Sequence, residues 1–469
     1  MSSSSDEIAV SHRTTSPRQV FAIVCVGVLL ANIDLFAVNI ALPKMAAEFH
    51  GASLEDVSWV LNAYAIAYAA LLVFFGRLSE GYSRDGSFIL GVAIFAAAAA
   101  AGAAATNLWI LVALRVVQAA GAALMTPASL GLLLATFPPD KRGGAVRDWS
   151  AVAGLAAALG PLLGGLLVSI SWRWIFIVNA AIGAVAILIA WRKLPKVPGH
   201  DIERPSFIAA LLVTGGTCAL IFAIVKINAW GWSSPAISGS IALSAALLAL
   251  FVWHSLRSQN PLIDPTLFRI RPFSGASLAM FPYSITFGAM LFSVALWGQT
   301  AWGWSALETG LAIIPGPLLM SVTSLLLTGK LIARFGTAPV VTAGIVFVIA
   351  AFLFWTSCLT LEPNVAYVVL GMSLNGIGVG LTFPTLMGVS THALPPSSFA
   401  TGSGMVNMIR QAAIAIGVAV FVAIVGSPAS PEERLAAFQI GWWVMAAITA
   451  ITLIPTLLLL RAVEGKREG

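Results

Sequence analysis

The chain has 469 residues, 59% of them hydrophobic and 9% charged, against about 45–50% and about 25% in ordinary soluble domains. That balance excludes water as the main solvent, and the formal net charge of +6, scattered through short polar segments with no continuous basic face, argues against nucleic acid as a partner. The cysteines Cys25, Cys218 and Cys358 lie in or beside apolar runs and read as small apolar side chains, with no metal spacing or disulfide framework.

Residues 1–19 are polar and predict a disordered cytoplasmic N-terminus. The apolar run that follows is longer than a signal-peptide core and carries Asp34, so it predicts a retained membrane helix. A span takes about 20 mostly apolar residues. That length yields fourteen candidates, at about 20–42, 57–77, 87–105, 108–136, 147–170, 174–191, 206–226, 235–256, 273–298, 308–329, 338–357, 365–391, 402–425 and 437–460. With the N-terminus inside, most of the 25 Lys and Arg fall on the inner side, and Lys44, Arg173, Lys226 and Arg434 fall outside. This asymmetry satisfies the positive-inside rule and puts Arg461, Lys466 and Arg467, in a tail over 461–469, on the inner side too. The expected place is the cytoplasmic membrane, multi-pass, with both termini cytoplasmic.

The string Gly76-Arg77-Leu78 after span 2 has an echo in Gly329-Lys330-Leu331 after span 10. The echo predicts a duplicated unit of six spans, one over 20–191 and one over 273–460, with two inserted spans and linkers over 192–272.

A nucleotide-driven pump needs a phosphate-binding loop, G-x-x-x-x-G-K followed by Ser or Thr. The nearest string ends at Gly329-Lys330, with Ser324 where the first glycine belongs and Leu331 after the lysine, so an ion gradient is the simplest energy source. Deep in the apolar spans the ionisable residues are Asp34, Arg115 and Arg410, each costing about 2.5–3.5 kcal/mol to insert. Asp34 lies about eight residues before Pro43 and Arg115 about eight after Asn107, so both are expected roughly 12 Å below the outer surface. Desolvation favours a neutral acid and an arriving cation favours a carboxylate, so Asp34 is the candidate proton carrier; a permanent Asp34–Arg115 tie is the structural alternative. Glu308, Glu362, Glu432 and Glu433 fall at the outer rim, and no second buried acid is expected.

Several motifs together resemble the fourteen-span drug:proton antiporter branch of the major facilitator superfamily. Span 1 reads D-L-F-A-V-N-I-A-L-P over 34–43, similar to the branch element D-x-x-x-V-N-x-A-L-P. Span 4 reads R-V-V-Q-A-A-G-A-A over 115–123, similar to a superfamily motif tied to proton coupling, with Ala119 in place of a glycine. Span 5 carries Gly154, Gly160, Pro161, Gly164 and Gly165, which resembles the antiporter gating motif, and S-W-R-W-I-F-I-V-N over 171–179 and N-M-I-R-Q over 407–411 also look like this branch. The resemblance implies an all-α polytopic membrane protein of the major facilitator fold: two six-helix bundles around a central cavity plus two additional helices, alternating access, and proton-coupled export of lipophilic, often cationic drugs.

The loop after span 2 departs from the family pattern G-x-L-(A/S)-D-R-x-G-R-(K/R). Here Glu80 replaces Asp, Gly81 and Asp85 replace basic residues, and Ser83 replaces Gly. A weaker or rearranged latch is expected, leaning on Gly76, Glu80 and Arg84 with Arg147 or Asp148. A polyspecific cavity is apolar and aromatic with few polar anchors. Its candidate lining is Asn39, Asn62, Tyr64, Tyr68, Phe281, Tyr283, Phe287, Gln299, Asn375, Phe383, Asn407, Met408 and Arg410. The expected partners are a small-molecule substrate, protons and the lipid bilayer, with a monomeric chain and no cofactor or metal. A dedicated exporter of one metabolite or self-made antibiotic shares this mechanism. A channel would not need the glycine-rich gate, and the dispersed His12, His50, His200, His254 and His392 make no enzyme site.

Overall fold

The computed structural model describes residues 15–49, 52–199, 206–258, 261–262, 265–392, 394 and 399–460. The tail expected over 461–469, and 1–19 except its last five residues, lie outside them. Every regular element among the described residues is helical. In chain order they are α1 (Pro17–Glu48), α2 (Leu54–Gly81), α3 (Arg84–Ala103), α4 (Leu108–Thr136), α5 (Pro139–Ile170), α6 (Arg173–Lys193), α7 (Phe207–Trp230) and α8 (Pro235–Arg257). A single-turn 3-10 element (Pro265–Arg269) leads into α9 (Arg271–Thr300). Then come α10 (Ala306–Phe335), α11 (Thr337–Cys358), α12 (Val365–His392), α13 (Phe399–Val425) and α14 (Pro431–Leu458).

Thirteen of these helices are long and apolar enough to cross a membrane, and α5 contributes a shorter apolar stretch, Leu159–Ile170. The fourteen helices follow the fourteen expected spans in order, most of them with a longer start because polar caps extend the apolar run. Ser16 with Gln19, Ser53 with Asp56, and Ser305 with Glu308 form reciprocal caps that satisfy the free amides at helix starts. Pro43 does not end the first helix as expected. α1 runs through it to Glu48, as membrane helices tolerate an internal proline when neighbours satisfy the freed backbone groups. Asp34 therefore sits nearer the middle of its helix than the reckoning from Pro43 gave.

The packing repeats. α1 packs on α4, α5 and α6, α2 on α4, and α3 on α4 and α6. Eight helices later α9 packs on α12, α13 and α14, α10 on α12, and α11 on α12 and α14. The two six-helix bundles meet along two seams, α2 against α13 and α5 against α10, which exchange under the repeat. The inserted α7 packs on α2, α13 and α8, so the extra pair flanks the α2–α13 seam.

Candidate functional site

Asp34 and Arg115 are both fully buried and paired, with Arg115 Nη1 2.5 Å from Asp34 Oδ2. The other carboxylate oxygen, Oδ1, accepts from Gln118 Nε2 at 3.0 Å and from Asn179 Nδ2 at 2.8 Å. Arg115 is held in turn: its Nε donates to the Val60 carbonyl at 3.1 Å, and Nη1 also donates to Gln118 Oε1 at 2.8 Å. Four helices, α1, α2, α4 and α6, thus converge on one ion pair in the first bundle. A bare charge there is very costly, and this donor set is what makes the burial tolerable.

The sequence reading singled out the pair but not its two amide ligands. Gln118 stood in the quoted arginine motif and Asn179 closed the 171–179 string. An amide within an apolar span was the available signal in both cases.

The Arg115 guanidinium lies 4.1 Å from the centroid of Tyr64, and Tyr64 stacks on Tyr68 at 6.0 Å with an interplanar angle of 6°. Tyr68 donates to Thr126 Oγ1 at 3.3 Å, and its helix α2 packs across the seam against α13, which carries Arg410. The Arg410 guanidinium lies 5.1 Å from the Phe383 ring, and Phe383 meets Phe287 at 6.1 Å. Asp34, Arg115, Tyr64 and Tyr68 therefore form one series in the first bundle, and Arg410, Phe383 and Phe287 form a second on the other side of the α2–α13 seam.

Others fall elsewhere. Tyr283 and Asn375 are buried in the second bundle, and Asn62 is buried on α2, where its Nδ2 reaches Ser58 Oγ at 3.4 Å. Gln299 donates to the Ile40 carbonyl at 3.0 Å, tying α9 to α1 between the bundles. Asn39 is buried on α1, Met408 is buried on α13 and Asn407 is half-buried there. Phe281 lines an apolar surface groove of about 590 Å³ between α9 and α14, bounded also by Leu278, Ile285, Ile451 and Leu458.

The glycines of α5 do specific steric work. A Cβ on Gly160 would lie 2.4 Å from Phe36 Cβ, and one on Gly164 2.7 Å from the Ala37 backbone, so α5 is seated on α1 beside Asp34. A Cβ on Gly165 would lie 2.6 Å from the Ala306 carbonyl, and one on Gly310 2.3 Å from the Pro161 carbonyl, so the same stretch closes the α5–α10 seam. Gly154 lies lower on α5, and a Cβ on Gly76 would meet Pro127 at 3.8 Å.

At the expected latch, Arg84 Nη1 donates to the Gly131 carbonyl of α4 at 3.0 Å, and Asp85 accepts from the Val197 amide at 3.1 Å. The side chains of Glu80 and Arg147 lie outside the described residues, and Asp148 is exposed.

A second acidic site amends the expectation that Asp34 is the one buried acid. Glu55 is 8% exposed. Lys226 of α7 lies 2.7 Å from Asp56 and 3.6 Å from Glu55, fastening the inserted pair to α2. From the sequence Lys226 reads only as an outer basic residue. Among the described residues no group of three or more His, Cys, Asp or Glu is placed to hold a metal.

A family model for the Major Facilitator Superfamily matches residues 24–418 and 276–469. The chain belongs to the major facilitator superfamily. It is 31% identical to the tetracenomycin C resistance and export protein of Streptomyces glaucescens over 405 residues, 86% of this chain and 74% of that one. It is 32% identical to the methylenomycin A resistance protein of Bacillus subtilis (strain 168) over 409 residues, 86% of each chain. In fold it resembles an auto-inhibited peptide transporter of the POT family, with a TM-score of 0.68 at 15% identity, covering 94% of this chain and 96% of that one. Membership of this transporter superfamily fits the many apolar helices of a multi-pass membrane protein.

Proposed function

We propose that the chain is a proton-driven antiporter that exports lipophilic small molecules, antibiotics among them, by alternating access. The observation that carries this reading is the sealed Asp34 network. A carboxylate held by three donors from two other helices is at once ionisable and mechanically connected. Protonation removes the charge that holds Arg115 and turns an acceptor into a donor, so the contacts among α1, α4 and α6 loosen together. α5 rests on α1 through Gly160 and Gly164, and the next residues of α5 meet α10. A proton at Asp34 is thereby felt at the bundle seam, which is the linkage an antiporter needs.

With the N-terminus cytoplasmic, as the placement of Lys and Arg favours, the tight Gly165–Ala306 and Gly310–Pro161 contacts lie in the outer half. The conformation is then closed outward. The reading includes a monomeric chain in the cytoplasmic membrane with both termini inside.

Inside-out vesicles with an acid interior test it, with tetracenomycin C and methylenomycin A as probes because relatives carry those names. Wild type is expected to accumulate at least one probe against its gradient and Asp34→Asn neither. Equal accumulation by both proteins, or its persistence after the proton gradient is collapsed, contradicts the proposal. A second reading, a dedicated exporter of one self-made antibiotic, is favoured by the printed names of the relatives. A panel in which a single compound is accumulated selects it.

A further inference from the structure

The charge left open between the bundles is positive. Asp34 is fully buried, and its two oxygens already receive Arg115, Gln118 and Asn179. Three of its about four acceptor positions are taken, and its charge is already matched by Arg115 in a sealed site. Arg410 is in the opposite position. Among the described residues its guanidinium makes no ion pair, its Nε is buried with no hydrogen-bond partner, and the side chain is partly exposed between the two bundles. Its ring neighbour is Phe383 on its own side, and Tyr68 stands on α2, the helix packed against α13 across the seam. The Tyr64–Tyr68 pair is nearly parallel, and the Phe287–Phe383 pair stands beside Arg410.

We infer that Arg410, with Tyr68 and Phe383, forms an anchor for planar, weakly acidic aromatic molecules, which bind through a carboxylate, phenolate or enolate oxygen. This rests on the exporter reading and names the substrate class of the same site. The chemistry follows from the parts. A guanidinium presents a planar fork of donors that matches an oxyanion on two bonds, and it stacks on aromatic faces without losing that fork. Its charge is partly withdrawn from water, with Nε buried and unpartnered, so an anion arriving there meets a partner less screened than one at the surface. The paired Asp34 and Arg115 cancel, and the net field at the seam attracts anions and opposes cations. Flat rings find stacking surfaces in Tyr68 and Phe383. The seam thus favours weak acids over the cationic drugs that the family resemblance suggests.

The test uses three probes with one ring system and three charges: 2-naphthoate, 2-naphthamide and 2-naphthylmethylammonium. Binding to the full-length protein in detergent at neutral pH is read by quenching of intrinsic tryptophan fluorescence, for wild type, Arg410→Gln and Arg410→Lys. In wild type the anion is expected to bind about 10- to 100-fold more tightly than the amide, the span of one charge-assisted hydrogen-bond pair, and the cation most weakly. Arg410→Gln is expected to bring the anion down to the amide while leaving the amide unchanged, and Arg410→Lys to retain part of the preference. A cation that binds tightest in wild type, a charge order that survives Arg410→Gln, or binding of none of the three overturns the inference. The binding order is independent of transport. If the order holds while no probe is moved by a proton gradient, the exporter reading fails and the anchor stands. If probes are moved without any charge order, the anchor fails and the exporter reading stands.

Discussion

At the scale of single residues, each member of the buried pair holds the other's charge. Arg115→Met strands a sealed carboxylate with only amide donors left. Asp34→Asn leaves Arg115 with the Val60 carbonyl, Gln118 Oε1 and the Tyr64 face, but strands a guanidinium that cannot give up its proton. Each variant is expected to destabilise the protein by about 3–5 kcal/mol. Thermal unfolding in detergent at neutral pH checks this, and a melting temperature unchanged in either variant contradicts it. Asn179→Ala removes one of the two amide donors to Asp34 without altering charge. It is expected to slow proton-driven transport several-fold with little change in the concentration of probe giving half-maximal rate, since Asn179 lies behind Asp34 rather than among the proposed lining residues. The acid and its arginine were legible in the sequence because a charge in an apolar run is conspicuous. Gln118 and Asn179 were less so, because an amide in a helix is as often a packing contact, and which amides share one carboxylate is decided by helix rotation that no linear pattern records.

At the scale of elements, the contacts of the α5 glycines give a steric basis to the motif that resembles an antiporter gate. Gly160 and Gly164 permit contact with α1, while Gly165 belongs to the other surface of the same helix and meets α10. Gly310→Ala places a methyl 2.3 Å from the Pro161 carbonyl, so the α5–α10 seam has to part. More of the chain is then expected in the opposite conformer, read as faster thiol labelling of a cysteine placed at Ala306, and labelling at the wild-type rate would speak against the seam as a gate. The inserted pair is a separate matter. Lys226→Met removes the tie from α7 to Asp56 and Glu55. The three side chains are largely withdrawn from solvent, so the variant leaves two carboxylates without their cation; it is expected to cost about 1–3 kcal/mol and to lower the melting temperature without abolishing transport. The span count was readable from length and hydropathy. The extension of α1 beyond Pro43 was not, because a proline's tolerance depends on neighbours absent from the local sequence.

At the scale of the whole molecule, the recurrence of helix pairings after eight helices gives the weak Gly76 and Gly329 echo a structural counterpart. It also accounts for the existence of two equivalent seams, the geometry that a rocking-bundle cycle uses. The placement of α7 beside the α2–α13 seam could not be read from the sequence, since Lys226 by itself does not say which acidic residue, on which helix, it meets. Charge movement follows from the site. Exchange of one entering proton for one departing monoanion carries two charges inward, each worth about 2.3 kcal/mol per 100 mV, whereas exchange for a monovalent cation carries none. Export of 2-naphthoate is therefore expected to accelerate when a potassium diffusion potential, negative on the cytoplasmic side, is imposed on vesicles. A rate indifferent to potential contradicts that charge balance.

The most direct test of the central claim, that Asp34 couples proton and substrate, is proton release on adding tetracenomycin C to detergent-purified protein in weak buffer near neutral pH. The Asp34→Asn protein serves as the reference and subtracts any proton the compound itself gives up. The account predicts additional release from wild type alone, with saturable binding retained in both proteins. Equal release from both proteins, or none from either despite saturable binding, would contradict it and leave the Asp34–Arg115 pair as a structural tie.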